Sequence, residues 1–315
     1  MQRKNGFLDL DTYFGKSYHE LVSSGILKYD NSFEQYFDEN EKKSNHWITI
    51  EGEEYYLKRS NYWEQELVVE EFFRLLGLSN LHYDVATLDG VKYVISKDYR
   101  CLGKEYVTGA EILEDFYIQT KKTDNGYFKE NFGMRLNRRK ELAAIFLNNL
   151  ENIWQALAFR YRNKTNKEEI VYKLVNDLKK RFLVRSILLN DADYHPNNWI
   201  IEEGSEIKLI PNFDNESALM TDINGLPFGV SIENVNDGAY AQLEYYLSVS
   251  DSANISEFLE IYNVASPELL KLAIDNVETK RGVVISRKYS FLENYTRNYE
   301  NIKSLVTNYR GKYGR

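Results

Sequence analysis

At 315 residues the chain has room for one large domain or for two lobes with separate cores, and 43% hydrophobic with 28% charged residues is a globular composition, not a disordered one. A net charge of −8 and a pI near 5.3 argue against broad binding to nucleic acid or anionic membrane, which calls for a basic surface. The single cysteine, Cys101, excludes a disulfide framework and a cysteine-based zinc site and suits a reducing compartment.

The first residues, Met1 to Phe7, run into Asp9 and Asp11 with no apolar stretch, and no 18-residue apolar run occurs. Neither a secretory signal nor a membrane span is expected, which places the chain in the cytoplasm, export by a specialised machine being compatible with this. Residues 1–43 are polar and aromatic with weak periodicity. His46–Ile50 reads as a strand, Glu51-Gly52-Glu53 as a turn and Glu54–Lys58 as a second strand. Residues 63–76 change to helical period, with Leu67, Val68, Phe72, Leu75 and Leu76 on one face and Gly77 as the stop. Strands follow at Tyr83–Leu88 and Lys92–Ser96, joined by the hairpin signal Asp89-Gly90.

From about residue 110 the chain turns mostly helical. Leu142–Arg160 and Glu168–Leu189 are long apolar-periodic segments, and Asn197–Glu203 with Glu206–Pro211 predicts a short hairpin around Gly204. Residues 239–308 return to helices, with Pro267 near a helix start. The expected fold class is α+β: a small β-rich N-terminal lobe over 1–97 and a larger, mainly helical lobe over 98–315.

The chemistry is concentrated in Asn190-Asp191-Ala192-Asp193-Tyr194-His195-Pro196-Asn197-Asn198. An apolar helix ends there in a loop that packs carboxylates, an imidazole and two adjacent amides into nine residues. The apolar strand Trp199-Ile200-Ile201 follows, and a second strand, Ile207–Ile210, runs through Pro211-Asn212-Phe213 into Asp214. Phosphoryl transfer from ATP asks for this inventory. One carboxylate must orient or deprotonate the attacking hydroxyl, while an amide and a second carboxylate hold magnesium, a hard cation that wants oxygen ligands. A hairpin between Asn198 and Asp214 would bring those two ligands together, and the step from Asp193 to Asn198 matches protein-kinase catalytic loops. Asp and Asn also gather in ordinary turns; the conjunction, not any single residue, carries the reading.

The pattern D-x-H-x-x-N, strand, turn, strand, Asp resembles the HipA-like serine/threonine kinases, as a compact stand-alone member, and more distantly the phosphoinositide kinases. The resemblance spans roughly residues 44–220. It implies a two-lobed kinase-like fold with Asp193 as catalytic aspartate, His195 as the loop-stabilising histidine, and Asn198 and Asp214 as magnesium ligands. Members often carry Asn two residues before the catalytic Asp; here Asp191 stands there, with Asn190 one step earlier. Asn215 follows Asp214, so there is no D-F-G.

Such an enzyme needs a strand lysine on the phosphates, paired to a helix glutamate. Lys58 ends the second predicted strand, and Glu66 lies on the next helix, eleven residues before Gly77 as in HipA-like helices; Glu70 is the alternative one turn on. Tyr93–Tyr99 resembles the strand and hinge joining the lobes, which puts adenine against backbone near Ser96–Asp98. No Gly-rich phosphate loop occurs, and Ser44, in Lys42-Lys43-Ser44-Asn45, is the candidate for that part.

The expected activity is therefore ATP- and magnesium-dependent phosphotransfer to a serine or threonine hydroxyl of a protein, autophosphorylation included. A small-molecule or lipid kinase is the alternative within enzymes, although residues 215–235 hold no Lys or Arg for an anionic headgroup. A nucleotide-binding pseudokinase is the alternative outside them. A metallohydrolase would want paired histidines, and His19, His46, His82 and His195 show no such spacing.

Overall fold

The computed structural model describes residues 2–29, 45–100, 103–120, 150–191, 194, 196–219, 243 and 252–313. The chain divides into two units. The first takes residues 1–99, 188–192 and 214–315, and the second takes 100–187 and 193–213.

In the first unit a hairpin, β1 (Arg3–Lys4) and β2 (Phe7–Asp9), leads into α1 (Leu10–Phe14) and α2 (Tyr18–Ser23), then β3 (Leu27–Tyr29). The weakly periodic N-terminus is thus ordered by caps rather than by a long apolar pattern. Asp9 caps α1 through the Thr12 amide, and Ser17 with Glu20 forms a reciprocal capping box on α2. The predicted pairs follow as β4 (His46–Ile50) with β5 (Glu53–Arg59), and β6 (Tyr83–Leu88) with β7 (Val91–Lys97). Asp89 and Gly90 both take positive φ, 51° and 73°, as a two-residue turn of this hand requires.

The sheet order is β1-β2-β6-β7-β5-β4-β3, with only β2 and β6 parallel. Alternation along β5 sends Leu57 into a core with Leu10, Leu21, Ile48 and Ile95, and Lys58 to the opposite face. That second face receives α3 (Trp63–Leu75), which also packs against the C-terminal helices described below.

The second unit holds β8 (Glu105–Thr108), α4 (Gly109–Thr120), α5 (Leu150–Arg160) and α6 (Lys167–Phe182). From Leu183 to Leu188 the helix continues with π geometry, a wider turn often found next to functional residues. Pro196–Asn198 form one 3-10 turn before β9 (Ile200–Glu203) and β10 (Lys208–Leu209). Strand therefore begins three residues later than the expected start at Asn197, because the adjacent Pro196 opens a turn instead. β8, β9 and β10 make a three-stranded sheet in the order β10-β9-β8. Trp199 and Ile201 anchor it to a core with Leu113, Leu157 and Leu174. A side chain on Gly109 would fall 2.0 Å from the Trp199 ring, so close packing fixes glycine there.

The first unit closes with α7 (Ser252–Val264), α8 (Pro267–Arg281) and α9 (Lys288–Tyr313), and Pro267 stands at the start of α8 as its sequence predicts. Of the Leu142–Arg160 helix only the part from Leu150 lies within the described residues.

Candidate functional site

Lys58 leaves β5 on the face opposite the Leu57 core and meets three carboxylates. It pairs with Asp214, with Glu216 at 3.0 Å and with Glu66 of α3 at 3.6 Å. Two of these are the residues expected from the sequence, and they arrive from positions 8 and 156 residues away. The alternative glutamate, Glu70, is turned elsewhere: it accepts from His82 at 2.6 Å and from the Tyr83 amide at 3.0 Å.

Backbone geometry sets the Asp214 segment. Asp214 takes φ 59°, the left-handed region that few non-glycine residues enter, and its amide donates to the Tyr83 hydroxyl at 3.0 Å. Asn215 then donates to one oxygen of Glu66 twice, from its amide at 2.9 Å and its side chain at 3.0 Å. Both Asn215 and Glu66 are fully buried. Where a D-F-G sequence would place an aromatic ring, this chain places an amide that orients the helix glutamate.

Electrostatically the cluster is short of positive charge: one ammonium faces three carboxyls. Burial works against the Lys58 charge, but Asp214, Glu66 and Glu216 outweigh it and hold the ammonium well above its ordinary pKa. Burial raises Glu66, which Lys58 only partly offsets, to about 7. Both pKa values rise, with opposite effects on charge: Lys58 is held charged, Asp214 contributing most among its partners, while full burial pushes Glu66 toward its neutral form. Lys58, Asp214 and Glu216 keep 22%, 30% and 26% of their side chains exposed, so a ligand can reach them, whereas Glu66 is sealed.

For a divalent cation the donors are suitable, being carboxylate oxygens, and one oxygen each of Glu66 and Glu216 is buried without a hydrogen bond. With Lys58 in their midst they form no ready cage, and no cluster of three or more His, Cys, Asp or Glu with metal-holding geometry occurs among the described residues. Asp214 fits a metal ligand by chemistry and exposure, and further oxygens would have to come from elsewhere.

The other expected residues fall as follows. Asn198 ends the 3-10 turn of the second unit and is buried. Asp193, His195 and Ser44 lie outside the described residues. Ser96 is buried near the end of β7, between Tyr56 and Tyr83 on the neighbouring strands. The Asp98 amide donates to the Glu54 carbonyl at 3.0 Å, so that donor is committed to the sheet.

Sequence reasoning passed over Glu216, Tyr83 and Arg185. Arg185 is fully buried in the π-helical segment. It donates to the Phe213 carbonyl at 2.8 Å and to Asn212 Oδ1 at 3.2 Å, and its guanidinium covers the Tyr194 ring at 4.6 Å. One arginine thus holds residues adjoining both Asp193 and Asp214 in sequence. Its signal was legible: a lone arginine inside Leu183–Leu189 must be buried, and a buried arginine needs partners.

No protein-family model matches the chain, and no curated protein matches it. Among solved structures it is similar to a Helicobacter pylori proinflammatory kinase, CtkA, with TM-score 0.52 and 17% identity over 84% of this chain and 94% of that one. A chain of the Shewanella oneidensis toxin–antitoxin complex of HipA, HipB and operator DNA aligns with TM-score 0.49 and 12% identity, over 90% of this chain and 62% of that one. The first likeness gives a mixed α and β, kinase-like fold.

Proposed function

We propose that the chain is an ATP- and magnesium-dependent phosphotransferase of the two-lobed kinase type, acting on a serine or threonine hydroxyl of a protein. The observation that carries the reading is the convergence of Lys58, Glu66 and Asp214, three residues singled out for this chemistry, at one partly open position in the first unit. The kinase-like fold of the first neighbour supports it.

In this reading Lys58 binds the nucleotide phosphates and Glu66, oriented by Asn215, fixes the ammonium. Asp214 and Asn198 would hold magnesium, which neutralises developing phosphate charge when bound. Asp193 accepts or orients the hydroxyl proton, with His195 bracing its loop, a form of help that contributes on the order of 10²–10⁴-fold. Adenine would meet backbone near Ser96 and Asp98 at groups other than the Asp98 amide, which Glu54 already takes, and Ser44 would belong to the phosphate loop.

Purified protein incubated with labelled ATP and magnesium should transfer label to Ser or Thr. Asp193→Asn should abolish transfer with nucleotide binding largely kept, and Lys58→Met or Asp214→Asn should weaken nucleotide binding by at least about 10-fold. Full transfer by Asp193→Asn would remove that residue's role. Binding without any transfer would favour the pseudokinase, and label only on small molecules or lipid the alternative substrate class.

A further inference from the structure

α3 is buried on nearly every side, and its buried residues include Glu64, Gln65, Glu66 and Glu71. Such groups stay inside a protein only when their oxygens are matched. Glu66 is matched by the site itself; Glu64 and Gln65 find partners at the corner after α8, and Glu71 on α8 and at Arg74 of its own helix.

Glu64 accepts from the Ser286 amide at 3.0 Å, the Ser286 hydroxyl at 2.6 Å, the Arg287 amide at 3.1 Å and Arg287 Nε at 3.2 Å. The same guanidinium donates to Gln65 Oε1 at 2.7 Å and to the Asn61 carbonyl at 3.2 Å, and it lies over the Tyr62 ring at 5.4 Å. Arg287 therefore grips residues 61, 62, 64 and 65, the entry to α3 and its first turn up to the residue before Glu66. Further along, Lys280 pairs with Glu71 at 2.8 Å, and Tyr295 meets Phe72 edge to face at 5.6 Å.

We propose that Arg287 is a positioning residue and that the α8–α9 corner is a built-in brace, setting the rotation of α3 at which Glu66 faces Lys58. A helix turns by about 100° per residue, so one residue's slip would carry Glu66 off the sheet face altogether. Contacts at 61, 64 and 65 define that rotation from the side away from Lys58. The brace is part of the chain, so the lysine–glutamate pair stands ready without a separate activating partner. The inference rests on reading Lys58 and Glu66 as the nucleotide pair.

The test uses the full chain as wild type, Arg287→Ala, Arg287→Lys, Glu66→Gln and the Arg287→Ala/Glu66→Gln double variant. Affinity for a non-hydrolysable ATP analogue with magnesium is measured beside hydrogen exchange in residues 63–75. Arg287→Ala should weaken nucleotide binding by about 10-fold and speed exchange in α3 relative to β5 and β7, with Arg287→Lys between it and wild type. In the Glu66→Gln background, removing Arg287 should cost less than about 2-fold more, because both changes disable one device. Equal losses in the two backgrounds, or unchanged exchange in α3, would overturn the proposal. If Arg287→Ala does not fold, Arg287→Lys alone and combined with Glu66→Gln decides by the same comparison. Should wild type bind no nucleotide, the functional reading falls, and exchange in α3 still decides whether the brace exists.

Discussion

Asp214 holds a left-handed backbone that costs a non-glycine residue on the order of 1–3 kcal/mol, and such strain persists only where the surroundings enforce it. Here the Tyr83 hydroxyl takes the Asp214 amide and Glu66 takes the next one. The result is a carboxylate turned to Lys58 and an amide turned to the helix within two successive residues. Glu66 carries the complementary burden, a buried acid raised to about 7. A raised carboxyl is still protonated in the folded protein after the unfolded chain has ionised, so its contribution weakens the fold as pH climbs from about 4.5 to 7. Glu66→Gln should accordingly stabilise the nucleotide-free protein by about 1–3 kcal/mol at pH 8 and by almost nothing at pH 5. Denaturant melts at both pH values check this; a stabilisation equal at the two would show that Glu66 is not the titrating group.

At the scale of elements, turn chemistry and periodicity revealed most of what surrounds the site. β4, β5, β6, β7 and α3 lie within a residue or two of their sequence limits, because Asp89-Gly90, Gly77 and the spacing of Leu67, Val68 and Phe72 each encode a local rule. β1, β2 and β3 were not legible, being two or three residues long and drawn into the sheet by pairing with β6 and β4. Nor was the second partner of α3: Glu64 and Glu71 carry no local signal for Arg287 and Lys280, which arrive from more than 200 residues away. Lys58 and Glu66 were visible as a spacing, and Asp214 as the end of a hairpin, whereas Glu216 and Asn215 depend on a turn that no local pattern announces. The β1–β2 turn meets the corner after α8 so closely that a side chain on Gly6 would lie 2.4 Å from the Gly282 carbonyl, with Gly6 itself at φ 84°. Gly6→Ala should thus destabilise the first unit by more than about 1 kcal/mol, through both clash and backbone strain. An unchanged melting midpoint would mean that this contact does not form in solution.

For the molecule as a whole, charge limits the company it keeps. No described helix is long and apolar enough to cross a membrane, and the net charge is −8. We expect no measurable retention on immobilised duplex DNA at about 0.15 M salt, since counterion release needs a basic footprint; salt-sensitive retention would reveal a local patch that overrides the net charge. The first unit is stitched from segments at opposite ends of the sequence, with the second unit's residues strung between them. That arrangement has a consequence during synthesis. While the ribosome is still making residues 100–280, Glu64 lacks Arg287, Glu71 has Arg74 but not Lys280, and the apolar neighbours of α3 stay wet. With α3 braced as proposed, the lysine–glutamate pair would be set only after residues 280–295 emerge, a late closure of a very long loop. Half-made chains would be the natural clients of a chaperone.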